Sequence, residues 1–209
     1  MEITSLILSP LGTNCYIASA GKNSAVVIDP AADAEKILSE LSRRELEAKK
    51  ILLTHGHYDH TSAAAELREK TGAPIYIHEA DRDMLSDRIK SFAYFMPEIA
   101  FKALEADVYF KDGDVIAQDD VSFEVMSTPG HSAGSVCFLC RKENVMFSGD
   151  TLFKDSIGRS DGYSGDYTVQ QLSLDKLSAL TDDYTVYPGH GPFTTLAAEK
   201  RFNPFLRGL

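Results

Sequence analysis

Short runs of apolar residues, broken by glycine, proline and acidic turns, set the rhythm of the chain. Ile3 to Leu8, Asn14 to Ala18 and Ala25 to Ile28 predict three strands. Pro10-Leu11-Gly12 and Ala20-Gly21-Lys22-Asn23 join them as a meander of antiparallel pairs. Asp29-Pro30 closes the third strand and leads into a helix from Asp33 to about Arg44, where Ile37, Leu38 and Leu41 make one apolar stripe. Ile51-Leu52-Leu53 predicts the next strand. A helix from Ser62 then ends near Gly72, as a left-handed cap would end it, and Ile75-Tyr76-Ile77 extends the sheet. From Asp83 to Ala106 the apolar residues, among them Phe92, Tyr94, Phe95, Met96, Ile99 and Phe101, follow no clean period. This segment is expected to pack as short helices against the core, and to be where apolar contacts shape a substrate.

The second half restarts in strands: Asp107 to Phe110, Val115 to Ala117, Val121 to Ser127, Ser135 to Cys140 and Val145 to Ser148. Asp112-Gly113, Asp119-Asp120 and Lys142-Glu143-Asn144 supply the turns. A helix from about Thr168 to Leu180 carries Leu172, Leu174, Leu177 and Leu180, and Tyr184 to Tyr187 is a last strand. Two halves, each of strands followed by helices, predict two sheets face to face with helices outside.

Composition narrows the class. At 209 residues the chain fits one domain, spanning 1–209. A formal charge of −10, with no run of Lys or Arg to neutralise phosphates, argues against nucleic acid and anionic membranes as partners. The first residues, Met1 to Leu8, have no basic lead and no long apolar core, so the expected location is cytoplasmic. Three cysteines make no disulfide framework. Cys137 and Cys140 lie three apart on a predicted strand, hence on opposite faces, and both are expected to be core residues, as is Cys15.

The chemistry concentrates where the strand Ile51-Leu52-Leu53 runs into Thr54-His55-Gly56-His57-Tyr58-Asp59-His60. Three of the six histidines stand here beside an aspartate, on a loop at the carboxyl end of a strand. His55 and His57 share a direction in extended chain, and Asp59 and His60 follow the turn, so two metal positions are expected. Three further loops each present one candidate ligand after an apolar run: His131 in Thr128-Pro129-Gly130-His131-Ser132, Asp150 in Ser148-Gly149-Asp150-Thr151, and His190 in Pro188-Gly189-His190-Gly191. His78 lies outside any ligand spacing.

In motif order and across essentially the whole chain, the sequence resembles the metallo-β-lactamase superfamily. That resemblance implies an α/β fold, the αββα sandwich of two mixed β-sheets with outer helices. It also implies that His55, His57 and His131 hold a first divalent ion, that Asp59, His60 and His190 hold a second, and that Asp150 bridges them. Zinc suits the nitrogen-rich set, with iron and manganese also admitted. Two such ions activate a shared water near neutral pH, with Asp59 both a ligand and the catalytic carboxylate nearest the attacking oxygen.

Gly149-Asp150-Thr151-Leu152-Phe153 followed by Ile157-Gly158-Arg159-Ser160-Asp161 resembles the glyoxalase II-like thioesterases, the hydroxyacylglutathione hydrolases and their shorter relatives. The chain ends soon after His190, so the expectation is a short form without the family's C-terminal helical domain. The implied substrate is a small anionic thioester such as S-lactoylglutathione, with Arg159 on its carboxylate and Tyr58 and Tyr163 at the mouth. The loop Gly158-Arg159-Ser160-Asp161 also resembles that of persulfide dioxygenases, which use a single iron. Lactones and other small esters are the remaining substrates the resemblance admits.

Overall fold

Successive residues of the central strands enter different apolar layers with a period of two, and both faces are buried. In the structure, a computed structural model that describes residues 1–8, 10–95, 97 and 100–206, this is because each sheet is covered on one side by helices and on the other by its partner sheet. The first sheet places β1 (Ile3–Leu8), β2 (Thr13–Ser19), β3 (Ser24–Ile28), β4 (Glu47–Leu52), β5 (Ile75–His78) and β6 (Val108–Phe110) in that spatial order. β1, β2 and β3 pair antiparallel; β3 to β6 run parallel. α1 (Ala34–Arg43) makes the crossover from β3 to β4, and the single turn α2 (Tyr58–Thr61) with α3 (Ala64–Thr71) makes the one from β4 to β5.

The second sheet contains β7 (Val115–Gln118), β8 (Val121–Ser127), β9 (Val136–Cys140), β10 (Val145–Gly149), β13 (Thr185–Pro188) and β14 (Thr194–Thr195), in the order β14-β13-β10-β9-β8-β7. A small hairpin, β11 (Leu152–Phe153) with β12 (Ser156–Ile157), follows β10. α4 (Tyr167–Ser178) and α5 (Leu196–Phe202) cover this sheet.

Three apolar layers result. Cys15, Ile17, Val27 and Ile51 face Ile37, Leu41 and Leu67 of the helices. Their neighbours Tyr16, Val26, Ile28 and Leu52 face Phe123, Val125, Phe138 and Phe147 of the other sheet. Leu139, Met146 and Val186 face Leu174, Leu177 and Leu196. Each fully buried Leu, Ile or Phe contributes about 1.5–3 kcal/mol relative to exposure, so the sheets are fixed in register by their alternation. Cys137 points to the outer layer and Cys140 to the inner one, and all three cysteines are free and buried. Burial pushes the Cys137 thiol up to about 11 and the Cys140 thiol up to about 12.

The predicted sandwich, with its two mixed sheets and outer helices, is the fold observed. Details differ where short polar elements meet the core. Ser62 stands between two helices rather than opening one, and the hairpin β11–β12, β14 and α5 have no periodic signal long enough to read. α1 starts after Asp33, whose carboxylate accepts from the Lys36 amide, and Gly72 (φ 72°) closes α3. Of the segment 83–106, Met84, Leu85, Ala93, Leu104 and Ala106 pack into the core, while Ile89, Tyr94 and Phe95 are exposed. Met96 and Ile99 lie outside the described residues. Among the described residues, no helix is long and apolar enough to cross a membrane.

Candidate metal centre

The parallel strands decide where polar side chains gather. β3, β4 and β5 of the first sheet all end at one edge of the sandwich, and β8, β10 and β13 of the second end there too. Thr54 to His60 follow β4, His131 follows β8, Asp150 follows β10 and His190 follows β13. Six loops from two sheets thus meet, and the seven histidines and aspartates singled out in the sequence come together.

Their ligand atoms form three overlapping groups, each with all atoms within 4.8 Å of one another: His55, His57 and His131; His55, His60 and Asp150; Asp59, His60 and His190. His131 Nε2 lies 2.8 Å from His57 Nδ1 and 3.2 Å from His55 Nε2. His190 Nε2 lies 3.2 Å from Asp59 Oδ2. Asp150 spans the two ends, Oδ1 3.4 Å from His60 Nε2 and Oδ2 3.6 Å from both His131 Nε2 and His190 Nε2. Buried nitrogens and carboxylate oxygens aimed at common points fit divalent cations. His60 Nε2 and Asp150 Oδ1 are both buried without a hydrogen-bond partner among the described residues, which is how donors of a metal site stand.

Charge follows the same division. Burial, then the neighbouring His131, hold His57 down to about 3, and burial holds His55 well below the ordinary range, so both offer neutral lone pairs. Burial also disfavours charge on His60, but Asp59, Asp150 and Asp29 outweigh it and hold its pKa well above the ordinary value. Asp59 and Asp150 stay ionised, since the surrounding histidines overcome the effect of burial on each. A divalent cation bound among these groups would take the place of the His60 proton.

A second layer of side chains, missed in the sequence, orients the first. Asp29 (φ 49°) accepts from the Thr54 amide at 2.8 Å and the Thr54 hydroxyl at 2.7 Å, and its Oδ2 accepts from His60 Nδ1 at 3.0 Å. The Thr54 oxygen is in turn 3.1 Å from His55 Nδ1, so both histidines turn their Nε2 lone pairs inward. His131 does likewise by donating from Nδ1 to the Arg159 carbonyl at 2.7 Å. Thr13 donates to Asp59 Oδ2 at 3.0 Å. Asp81 ties two ligand loops together, accepting from Gly56 N at 2.9 Å, Gly134 N at 2.7 Å and Ser132 Oγ at 2.6 Å. Burial raises its pKa against the pull of those donors. Asp29 and Asp81 each stand just past a parallel strand, as the ligands do, and that placement was the signal available for them. Gly189 must be glycine, because a Cβ there would overlap Asp150 Oδ1 and lie 2.6 Å from His60 Cε1.

The three residues expected at the mouth fare differently. Tyr58 is 3% exposed, packs at a tilt against Phe101, and its hydroxyl donates to the Ala100 carbonyl at 2.8 Å; it anchors the 100–102 segment instead of facing the cluster. Tyr163 is half-exposed with the Lys90 ammonium 5.1 Å from its ring centre. Arg159 is exposed, and its fork is already filled by Asp161, with Nε and Nη2 donating at 2.6 and 2.9 Å. His78 stands apart, accepting from the Ala80 amide.

The profile of the family described as Metallo-beta-lactamase superfamily matches residues 8–190. The chain is similar to the hydroxyacylglutathione hydrolase GloC of Haemophilus influenzae, at 35% identity over 99% of this chain and 98% of that protein. Among solved structures it is similar to BLEG-1 B3 metallo-beta-lactamase (37% identity, TM-score 0.93, 99% and 100% of the two chains). It is likewise similar to TTHA1623 in a di-iron-bound form (36% identity, TM-score 0.87, 97% and 100%).

Proposed function

We propose that this chain, which belongs to the metallo-β-lactamase superfamily, hydrolyses a small thioester of the acylglutathione kind with two divalent ions, zinc by preference. The observation that carries the reading is Asp150, whose carboxylate lies within 3.6 Å of histidines from both halves of one donor set in a chain that aligns end to end with a hydroxyacylglutathione hydrolase. When bound, such ions supply Lewis acidity, polarising a carbonyl and bringing the pKa of a water toward neutrality.

The protein's own groups do the rest. His55, His57 and His131 would hold one ion, Asp59, His60 and His190 the other, and Asp150 would serve both. Asp59 is ionised and tethered through Oδ2 to Thr13, so it can take the proton of the attacking water as the new C–O bond forms. When the C–S bond breaks, the same carboxyl returns the proton to the departing thiolate. No side-chain nucleophile enters.

Arg159 recognises an anionic substrate only by exchange, since a carboxylate must displace Asp161 from the guanidinium fork. Asp161→Ala should therefore lower KM for S-lactoylglutathione several-fold and Arg159→Ala should raise it, each leaving kcat within about twofold, as expected for uniform binding. Equal KM values in wild type and both variants would put the anion elsewhere.

The test of the reaction is loss of thioester absorbance from S-lactoylglutathione, without oxygen, on protein loaded separately with zinc, manganese and iron. Loss that stops on adding chelator supports the thioesterase. No loss with any metal, together with oxygen uptake on a persulfide by the iron form, would replace it with a dioxygenase. The likeness to BLEG-1 favours a second reading, opening of a β-lactam amide at the same centre, which a chromogenic cephalosporin in the same series would reveal.

A further inference from the structure

Three of the four buried histidines of the cluster owe their orientation to a polar partner on the outer ring nitrogen: His55 to Thr54, His60 to Asp29, His131 to the Arg159 carbonyl. His57 breaks the rule. It turns Nδ1 inward, 2.8 Å from His131 Nε2, and its Nε2 is buried with no hydrogen-bond partner among the described residues. An imidazole that must present one nitrogen to a metal needs something to fix its plane.

Phe92 lies flat against it. The two rings are 4.7 Å apart and 16° from parallel. Phe92 is half-buried and has φ 63°, a left-handed conformation unusual for a bulky side chain. Such strain persists only where the surroundings enforce it, and they do so here from both ends. The Tyr58 amide donates to the Ser91 carbonyl at 2.8 Å, fixing the backbone of this segment to the histidine motif. On the loop after Asp150, Gly162 leaves room for the ring, because a Cβ there would stand 2.5 Å from Phe92 Cζ. The Arg159 guanidinium lies 5.9 Å from the same ring's centre.

We infer that Phe92 is the positioning residue of His57, holding the imidazole by its face where His55, His60 and His131 are each held by a hydrogen bond, and that Gly162 is glycine to admit that ring. The inference rests on the reading of the cluster as a metal centre. Ser91 and Phe92 thereby acquire a role beyond packing: the ring beside His57 would set the affinity of the ion that His57, His55 and His131 would hold.

The left-handed backbone supplies the test. Glycine adopts φ 63° without strain, and the Ser91 anchor does not involve the Phe92 side chain, so Phe92→Gly removes the ring and leaves the local backbone its conformation. Full-length wild type, Phe92→Gly, Gly162→Ala and the double variant are freed of metal. Each is then titrated with Zn²⁺ against a chromophoric chelator, and with Co²⁺ by its visible absorption. Phe92→Gly should bind the first ion about 10–100-fold more weakly, with altered cobalt bands and an undiminished melting temperature. Gly162→Ala, by displacing the ring, should weaken binding in the same direction. In the Phe92→Gly background it should add nothing, since its target is gone. Wild-type affinity and spectrum in Phe92→Gly, or additive losses in the double variant, would overturn the role of Phe92. A wild type that takes up no ion at all would sink the metal centre itself, and the two failures are told apart by the wild-type titration alone.

Discussion

Asp59→Ala protein should fold with a wild-type far-UV spectrum and, on the proposed reaction, lose at least ~10³-fold in kcat/KM for S-lactoylglutathione, the upper part of the range for removing a positioned general acid–base. Two effects are combined in that loss. The carboxylate is 3.2 Å from His190 Nε2 and 3.5 Å from His60 Nε2, so its removal strips one donor from the second ion's set. It also removes the group that takes and returns the proton. Asp59→Asn separates them, since the amide keeps the bulk and one oxygen beside Thr13 but cannot accept a proton at neutral pH. Metal content measured on both variants assigns the share of each. An Asp59→Asn protein that keeps two ions and turns over at the wild-type rate would take the proton away from this residue.

The histidines and aspartates of the cluster were legible because each is local. A strand, then a glycine, then a histidine or aspartate is a pattern that a single stretch of chain displays, and four such stretches converge because the strands before them end at one edge. The second layer is not local in that sense. Asp29 looks like a turn residue before Pro30 until its carboxylate is seen between Thr54 and His60, 25 and 31 positions away. Phe92 sits in a stretch whose apolar residues obey no period, because some of them serve the core and this one serves a histidine. Tyr58 shows the opposite failure. Its neighbours in sequence are ligands, but successive residues of a helical turn point about 100° apart, and the turn that aims Asp59 and His60 at the centre carries Tyr58 toward Ala100 and Phe101. Arg159 was found where the loop pattern put it; that its fork is already occupied depends on a rotamer no spacing encodes.

Asp81 carries the largest stability effect. It is fully buried, and its two oxygens accept from Gly56 N, Gly134 N and Ser132 Oγ, joining the loop after β4 to the loop after β8. Asp81→Ala leaves two backbone amides with no acceptor at this point. The Ser132 hydroxyl keeps Ser135 Oγ at 2.8 Å, so the count of stranded donors is two rather than three. At about 1–3 kcal/mol for each buried donor, the variant should lose ~2–6 kcal/mol in urea denaturation with an unchanged slope. Asp81→Asn should fall between, because one oxygen still accepts while the amide nitrogen meets a backbone N–H as donor against donor. The loss must appear in the metal-free protein as well, since the clamp holds the loops whether or not ions join them. A metal-free Asp81→Ala protein within about 0.5 kcal/mol of wild type would mean that the two loops are held by the sheets alone, and that the carboxylate is tolerated there rather than required.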